Sequence, residues 1–369
     1  MRIAAVEAIP LAIPYTYGAS GYTLGAQRAQ VLDFCLVRVE TDDGIVGWGD
    51  AFAYGSCTAV SAAVRDMVAP LAVGADAADI AGLSRRLQQA LHIFGRYGIT
   101  LHALSGLDIA LWDIAGKAAG KSLAALVGGA PRRSVPAYAS LLRYADAGLV
   151  ATHAARAVAA GFAAIKLHEI DEAVIAAARA AVPAAVPLMF DVNCPWAPDE
   201  ALSICSRLAA HRPHWVEEPV FPPEDFASLR RIRDAARVPL AAGENWCTAV
   251  QFAQALDARA VDIVQPSVTK VGGVTEFLRV LDLAREHGVR VAPHSPYFGP
   301  GALATLQLLT RIAEPAWFEL FYLDAAASLF GDALRPAGGT MTIPQGPGLG
   351  CDPDPAVIAR YRTDGSGAR

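Results

Sequence analysis

AAIKLH (Ala163–His168), PLMFDVN (Pro187–Asn193), HWVEEP (His214–Pro219) and PLAAGEN (Pro239–Asn245) decide the fold. Each is an apolar run of strand length with an ionisable side chain near its end: His168, Asp191, Glu217 and Glu244. Helix-patterned sequence separates them, and short apolar runs alternating with amphipathic helices imply parallel strands. The same texture continues on both sides. VPAYAS, ending at Ser140, precedes them; VDIVQPS, ending at Ser267, VRVAPHS, with His294, and WFELF, with Glu319, follow. That makes eight strands, one about every 26 residues, the pattern of a β/α barrel.

The sequence before this run reads differently. Arg2–Pro10 and Val31–Glu40 alternate like strands, and Asp42-Asp43-Gly44 is a hairpin turn leading into Ile45–Trp48. Helical patterns follow, notably Leu101–Lys117. Residues 1–128 are therefore expected to form an α+β capping domain, completed by about 335–369, with the barrel in 129–334. Tyr15–Ala26, rich in Gly, Ser and Tyr, is a candidate mobile loop, and the tail after Arg362 is expected to be disordered.

Composition narrows the class. With 54% apolar and 18% charged residues the chain can bury a sizeable core. A net charge of −5 argues against a nucleic-acid binder. The six cysteines contain no C-x-x-C pair and read as buried thiols. The start, MRIAAVEAIP, lacks a signal-peptide core, and Ala173–Ala185 is broken by Arg179 and Pro183, so no membrane span is expected. These readings point to a soluble cytoplasmic protein.

Six of the eight strands end in an ionisable residue, and burying unpaired charge is unfavourable. In a barrel the carboxyl ends of the strands carry the active site. Asp191, Glu217 and Glu244 would repel one another unless something positive lay between them. All-oxygen donors select a hard cation, and Mg²⁺ fits best; zinc is disfavoured without His or Cys in the set. The competing reading is ion pairing with arginines. Glu217 and Glu218 point to opposite faces, so only one can be a ligand.

Only four lysines occur, and Lys166 lies inside an apolar strand. Lys166 and His168 share a face, which is the interior if either acts on a ligand. His294 stands across the barrel. Basic groups on opposite sides of a metal suit removal of a proton next to a carboxylate.

The residues also resemble a family. GIVGWGD (44–50), LSGLDIALWDIAGKAAGKSLAALVGG (104–129), GFAAIKLH (161–168), FDVN (190–193), WVEEP (215–219), GENW (243–246) and KVGG (270–273) are similar to the mandelate racemase subgroup of the enolase superfamily over nearly the full chain. The resemblance implies a modified TIM barrel, (β/α)7β, under an α+β N-terminal cap. It implies Mg²⁺ on Asp191, Glu217 and Glu244, the first glutamate of EEP being the ligand. It implies that the Tyr15–Ala26 loop and Phe52–Tyr54 close over the substrate, and that the chain forms a homo-oligomer, from dimer to octamer. Where the subgroup usually has Lys-x-Lys, this chain has Lys166-Leu167-His168. His168 then takes the base position and Lys166 the position that contacts the substrate carboxylate. Ser267 stands where an aspartate usually orients the strand-seven histidine, so His294 is expected to be a weaker base and to act as an acid. Glu319 matches a strand-eight acid that, if protonated, hydrogen-bonds the enediolate; the alternative is a partner for a nearby arginine. Lys270 reads as a solvated surface residue. Asn193, Ser267, Tyr22 and Tyr54 are candidate substrate contacts, with Tyr15, Tyr17, Tyr97 and Tyr297 unranked beside them. Arg96 is a candidate for a second substrate carboxylate.

The leading expectation is a sugar-acid (aldonate or aldarate) dehydratase acting on a small carboxylate. Racemisation, epimerisation or lactone cycloisomerisation is the alternative. Racemisation needs two competent bases, which Ser267 puts in question. A metal-dependent hydrolase would favour histidine ligands. A non-catalytic binding protein has nothing in the sequence to support it.

Overall fold

The structure is a computed structural model, and it describes residues 1–24, 29–312 and 317–364. Three strands, β1 (Ile3–Thr16), β2 (Val31–Thr41) and β3 (Val46–Ala51), form an antiparallel meander. The β2–β3 turn is the expected one, with Gly44 at φ +83°, a conformation open to glycine without steric penalty. Against this sheet lies the helix Ile99–Ala119, buried along most of its length. A Cβ on Gly47 would lie 2.2 Å from the Ala110 carbonyl oxygen, and one on Gly49 would lie 1.8 Å from that of Gly106. The glycines of GIVGWGD therefore let β3 sink onto the backbone of LSGLDIALWD. Two of the quoted motifs are the two halves of one contact.

Eight parallel strands make the barrel: β4 (Ser134–Leu141), β5 (Ala164–Leu167), β6 (Leu188–Asp191), β7 (Val216–Glu217), β8 (Leu240–Ala242), β9 (Ile263–Val264), β10 (Arg290–Val291) and β11 (Phe318–Phe321). The ladder runs β10-β9-β8-β7-β6-β5-β4-β11, a curled α/β sheet under an antiparallel cap. Inside it Tyr138, Ala164, Met189, Trp215, Ala241 and Ile263 form an apolar floor. Among the described residues no backbone ladder joins β10 to β11. Side chains close that seam: the Ser295 hydroxyl donates to the Glu319 carbonyl at 3.3 Å and accepts the Glu319 N–H at 3.2 Å.

Cap and barrel are joined at the start of the helix Gly273–His287. The Gly272 N–H donates to Ser105 Oγ at 2.9 Å, the Thr275 N–H to Asp108 Oδ1 at 2.9 Å, and Trp112 Nε1 to Thr275 Oγ1 at 3.0 Å. Three residues of the cap helix thus serve N–H and hydroxyl groups at a barrel helix start that would otherwise lack partners. That joins the SGLD and KVGG motifs across the domains.

Two expectations change in detail. Tyr15 and Thr16 belong to β1 and pair with β12 (Asp324–Ala325), so the loop starts after them; Gly25 and Ala26 lie outside the described residues, as do residues 365–369 of the tail. The segment after 335 does not go straight to the cap. Its strand β13 (Thr340–Thr342) first pairs antiparallel with β4 of the barrel. The chain then docks Leu349 N–H on Asp113 and Arg362 on Glu7.

Candidate active site

Asp191 and Glu217 are register partners on β6 and β7, which puts both carboxylates at one level of the barrel. Glu244 follows β8, two residues past its last residue. These three side chains each offer an oxygen within 4.8 Å of the others. The chain turns sharply just beyond the strands: Asn193, Cys194 and Glu218 all have positive φ, at 55°, 55° and 47°. Such conformations are unfavourable for non-glycine residues and persist where the surroundings enforce them.

Asp191 Oδ1 accepts from the Asn193 side-chain amide at 2.5 Å and from its N–H at 3.1 Å. Trp215 Nε1 donates to Glu217 Oε2 at 2.8 Å. Glu218 points elsewhere, as alternation requires. It accepts the Gly243 N–H at 2.9 Å and the Cys194 thiol at 3.5 Å, and burial pushes its carboxyl up to about 8.

Lys166 is fully buried, with Nζ 3.0 Å from Asp191 Oδ2, 2.7 Å from Glu217 Oε1 and 2.7 Å from Glu319 Oε1. Burial works against its charge, but Glu217, Glu319 and Asp191 outweigh burial and hold its pKa well above the usual lysine value. Glu319 is opposed by burial and lowered by Lys166 and His294, and it also accepts from Ser140 Oγ at 2.8 Å. Its charged neighbour is the buried Lys166. That lysine stands where the second expectation had an arginine.

The triad fits a divalent cation. Burial and then the Asp191 charge push the Glu217 carboxyl well above its ordinary value, against the pull of Lys166. The site thus carries more negative charge than its lysine balances. The donors are all oxygen, which suits a hard ion.

Two imidazoles face this centre. His168 Nε2 is 3.2 Å from Asp191 Oδ2, and its Nδ1 is 2.6 Å from the Leu141 carbonyl. A carbonyl only accepts, so Nδ1 carries hydrogen and Nε2 is the nitrogen left for chemistry. His294 Nε2 is 2.7 Å from Glu244 Oε2, and its Nδ1 is 2.9 Å from the Tyr297 hydroxyl. Burial raises the Glu244 carboxyl, but His294 and Lys270 outweigh it and bring it down to about 2.

The other predicted residues sort by position. Ser267 is buried, and its hydroxyl bonds directly to the Tyr297 phenol. Tyr54 gives its hydroxyl to the Pro296 carbonyl at 2.8 Å and stacks on Phe321. Tyr22 lies against the Arg143 guanidinium, 5.9 Å from ring centroid to carbon, and its phenol feels Asp191 and Glu244. Tyr97 is exposed, and Arg96 bonds Gln88 on the cap at 3.1 Å, away from the triad. Lys270 is 8% exposed and is no surface residue. Its Nζ donates to Asn245 Oδ1 at 3.0 Å and sits 4.8 Å from the Phe52 ring centroid.

Sequence reading passed over Trp215 and Arg143. Trp215 is two residues before Glu217 and so shares its face, a signal that was present. Arg143 lies beyond the end of β4 and donates through Nε to the His168 carbonyl at 2.6 Å. No periodicity marks it.

Comparison with known proteins agrees with this geometry. Residues 21–128 match the mandelate racemase / muconate lactonizing enzyme N-terminal domain, and residues 149–357 match the enolase C-terminal domain-like family. The chain is 35% identical over 349 residues to a D-galactarolactone cycloisomerase of Agrobacterium fabrum, covering 89% of this chain and 90% of that protein. It is 31% identical over 343 residues to an arabinonate dehydratase of Saccharolobus solfataricus, covering 90% and 91%. A solved mandelate racemase/muconate lactonizing protein from Paracoccus denitrificans, complexed with magnesium, superposes with a TM-score of 0.84 at 29% identity, covering 98% of each chain. Described helices include none long and apolar enough to cross a membrane. In both of its domains the chain belongs to the mandelate racemase/muconate lactonizing enzyme subgroup of the enolase superfamily.

Proposed function

We propose that this enolase-superfamily enzyme removes the proton α to the carboxylate of a sugar acid and expels the β-hydroxyl as water, giving a 2-keto-3-deoxy acid. The observation that carries this reading is the pair of imidazoles, each with Nε2 on a carboxylate of the triad and each approaching from a different side. His168 Nε2 takes the α-proton. Lys166, held as an ammonium, faces the substrate carboxylate. His294 Nε2 gives a proton to the departing β-oxygen. The enol that remains tautomerises to the ketone, so atoms balance with water as the only other product. Asp191, Glu217 and Glu244 would hold Mg²⁺, which supplies positive charge where the substrate carboxylate becomes electron-rich.

A second reading, opening of a sugar-acid lactone by the same elimination, is favoured by the 35% identity to a lactone cycloisomerase. It differs only in the group that leaves the β-carbon. Incubation with Mg²⁺ and a panel of aldonic acids, aldaric acids and their lactones tests both. A 2-keto product from the free acids supports dehydration, and product from lactones alone supports the second reading. Stripping with EDTA should lower turnover by about 10³-fold or more, restored by Mg²⁺. If no panel member gave a keto product or exchanged its α-proton in D₂O, the proposal would fall.

A further inference from the structure

The Tyr297 hydroxyl lies between two groups that matter: His294 Nδ1 at 2.9 Å on one side and the Ser267 hydroxyl on the other. Both neighbours are buried, as is Tyr297, which packs edge-on to Phe52 and tilted against Tyr54. Burial holds the phenol well above its usual pKa, so it stays neutral. Its backbone is also secured, with N–H donating to the Ser295 carbonyl at 2.6 Å. Ser267 alone has no bond to the imidazole among the described residues; the phenol spans that gap.

We propose that Tyr297 is the positioning residue of His294, and that Ser267 acts on the histidine only through it. The chain Ser267 hydroxyl, Tyr297 hydroxyl, His294 Nδ1 sets the rotation of the imidazole and keeps Nε2 turned toward Glu244 and the substrate. A neutral hydroxyl both donates and accepts, so the relay can follow His294 whether Nδ1 bears hydrogen or a lone pair. A carbonyl, the partner of His168 Nδ1, cannot. The relay therefore belongs to the step that uses His294, departure of the β-oxygen, and not to removal of the α-proton. This assignment rests on the elimination chemistry proposed above.

Tyr297→Phe removes one oxygen and keeps the ring, and Ser267→Ala removes the far end of the relay. In D₂O, Tyr297→Phe should lower product formation about 10- to 100-fold while α-proton exchange changes less than about threefold. Ser267→Ala should act in the same direction more weakly. The double variant should be no worse than Tyr297→Phe alone, because residues in one network are not additive. A second readout needs no turnover: nitrogen NMR of the histidines should show altered hydrogen placement on His294, with His168 unchanged, in Tyr297→Phe. Equal loss of exchange and elimination, or additive effects of the two substitutions, would overturn the relay. So would a His294 signal indifferent to Tyr297, even if no substrate were ever found. A normal NMR effect without any turnover would instead tell against the elimination reading and leave the relay standing.

Discussion

The two histidines differ in what stands behind them. His168 rests Nδ1 on a main-chain carbonyl of β4, and His294 rests Nδ1 on a side-chain hydroxyl. A carbonyl is fixed by the ladder and can only accept, so it dictates one hydrogen placement. A hydroxyl turns and serves either. The same ring thus receives a rigid setting on one flank and an adaptable one on the other, the difference on which the proposed base and acid roles rest. Lys166 sharpens the contrast, since the strand-two flank also carries a buried ammonium while the strand-seven flank answers with the neutral pair Ser267 and Tyr297.

Substitutions should separate the flanks. His168→Asn should abolish both α-proton exchange and elimination, each by roughly 10³- to 10⁴-fold, measured by NMR and by keto-acid assay. Loss of elimination alone would mean that the flanks have been assigned the wrong way round. His294→Asn should cost elimination about 10²- to 10³-fold and leave exchange within about tenfold. Asn193→Ala, which removes the amide on Asp191 Oδ1, sits on neither flank and should reduce both steps together. It should do so by weakening Mg²⁺ binding about tenfold, read by titration calorimetry, as loss of a group that orients a ligand usually does.

The barrel was legible in the sequence because strand period and strand-end chemistry repeat together. Asp191, Glu217 and Glu244 were found by type and register, and the structure brings them together. What stays hidden in the sequence shares a cause. Ser267, Tyr297 and Lys270 lie in segments after short strands, where no periodicity says which way a side chain turns. No pattern shows that the Ser267 hydroxyl meets the Tyr297 phenol, and Lys270 reads as a surface residue because loops are usually solvated, yet it is buried. Glu319 lies at a strand end as expected, yet its charged neighbour is Lys166, six strands earlier in the chain.

The seam between β10 and β11 has a consequence for how such an enzyme can diversify. From β10 back to β4 and on to β11 one continuous backbone ladder carries the strands that lead to His168 and the three carboxylates. Across the seam the link is a serine hydroxyl and a glutamate. The residues after β10, His294 and Tyr297 among them, thus meet β11 through side chains, and a substitution there need not break a ladder.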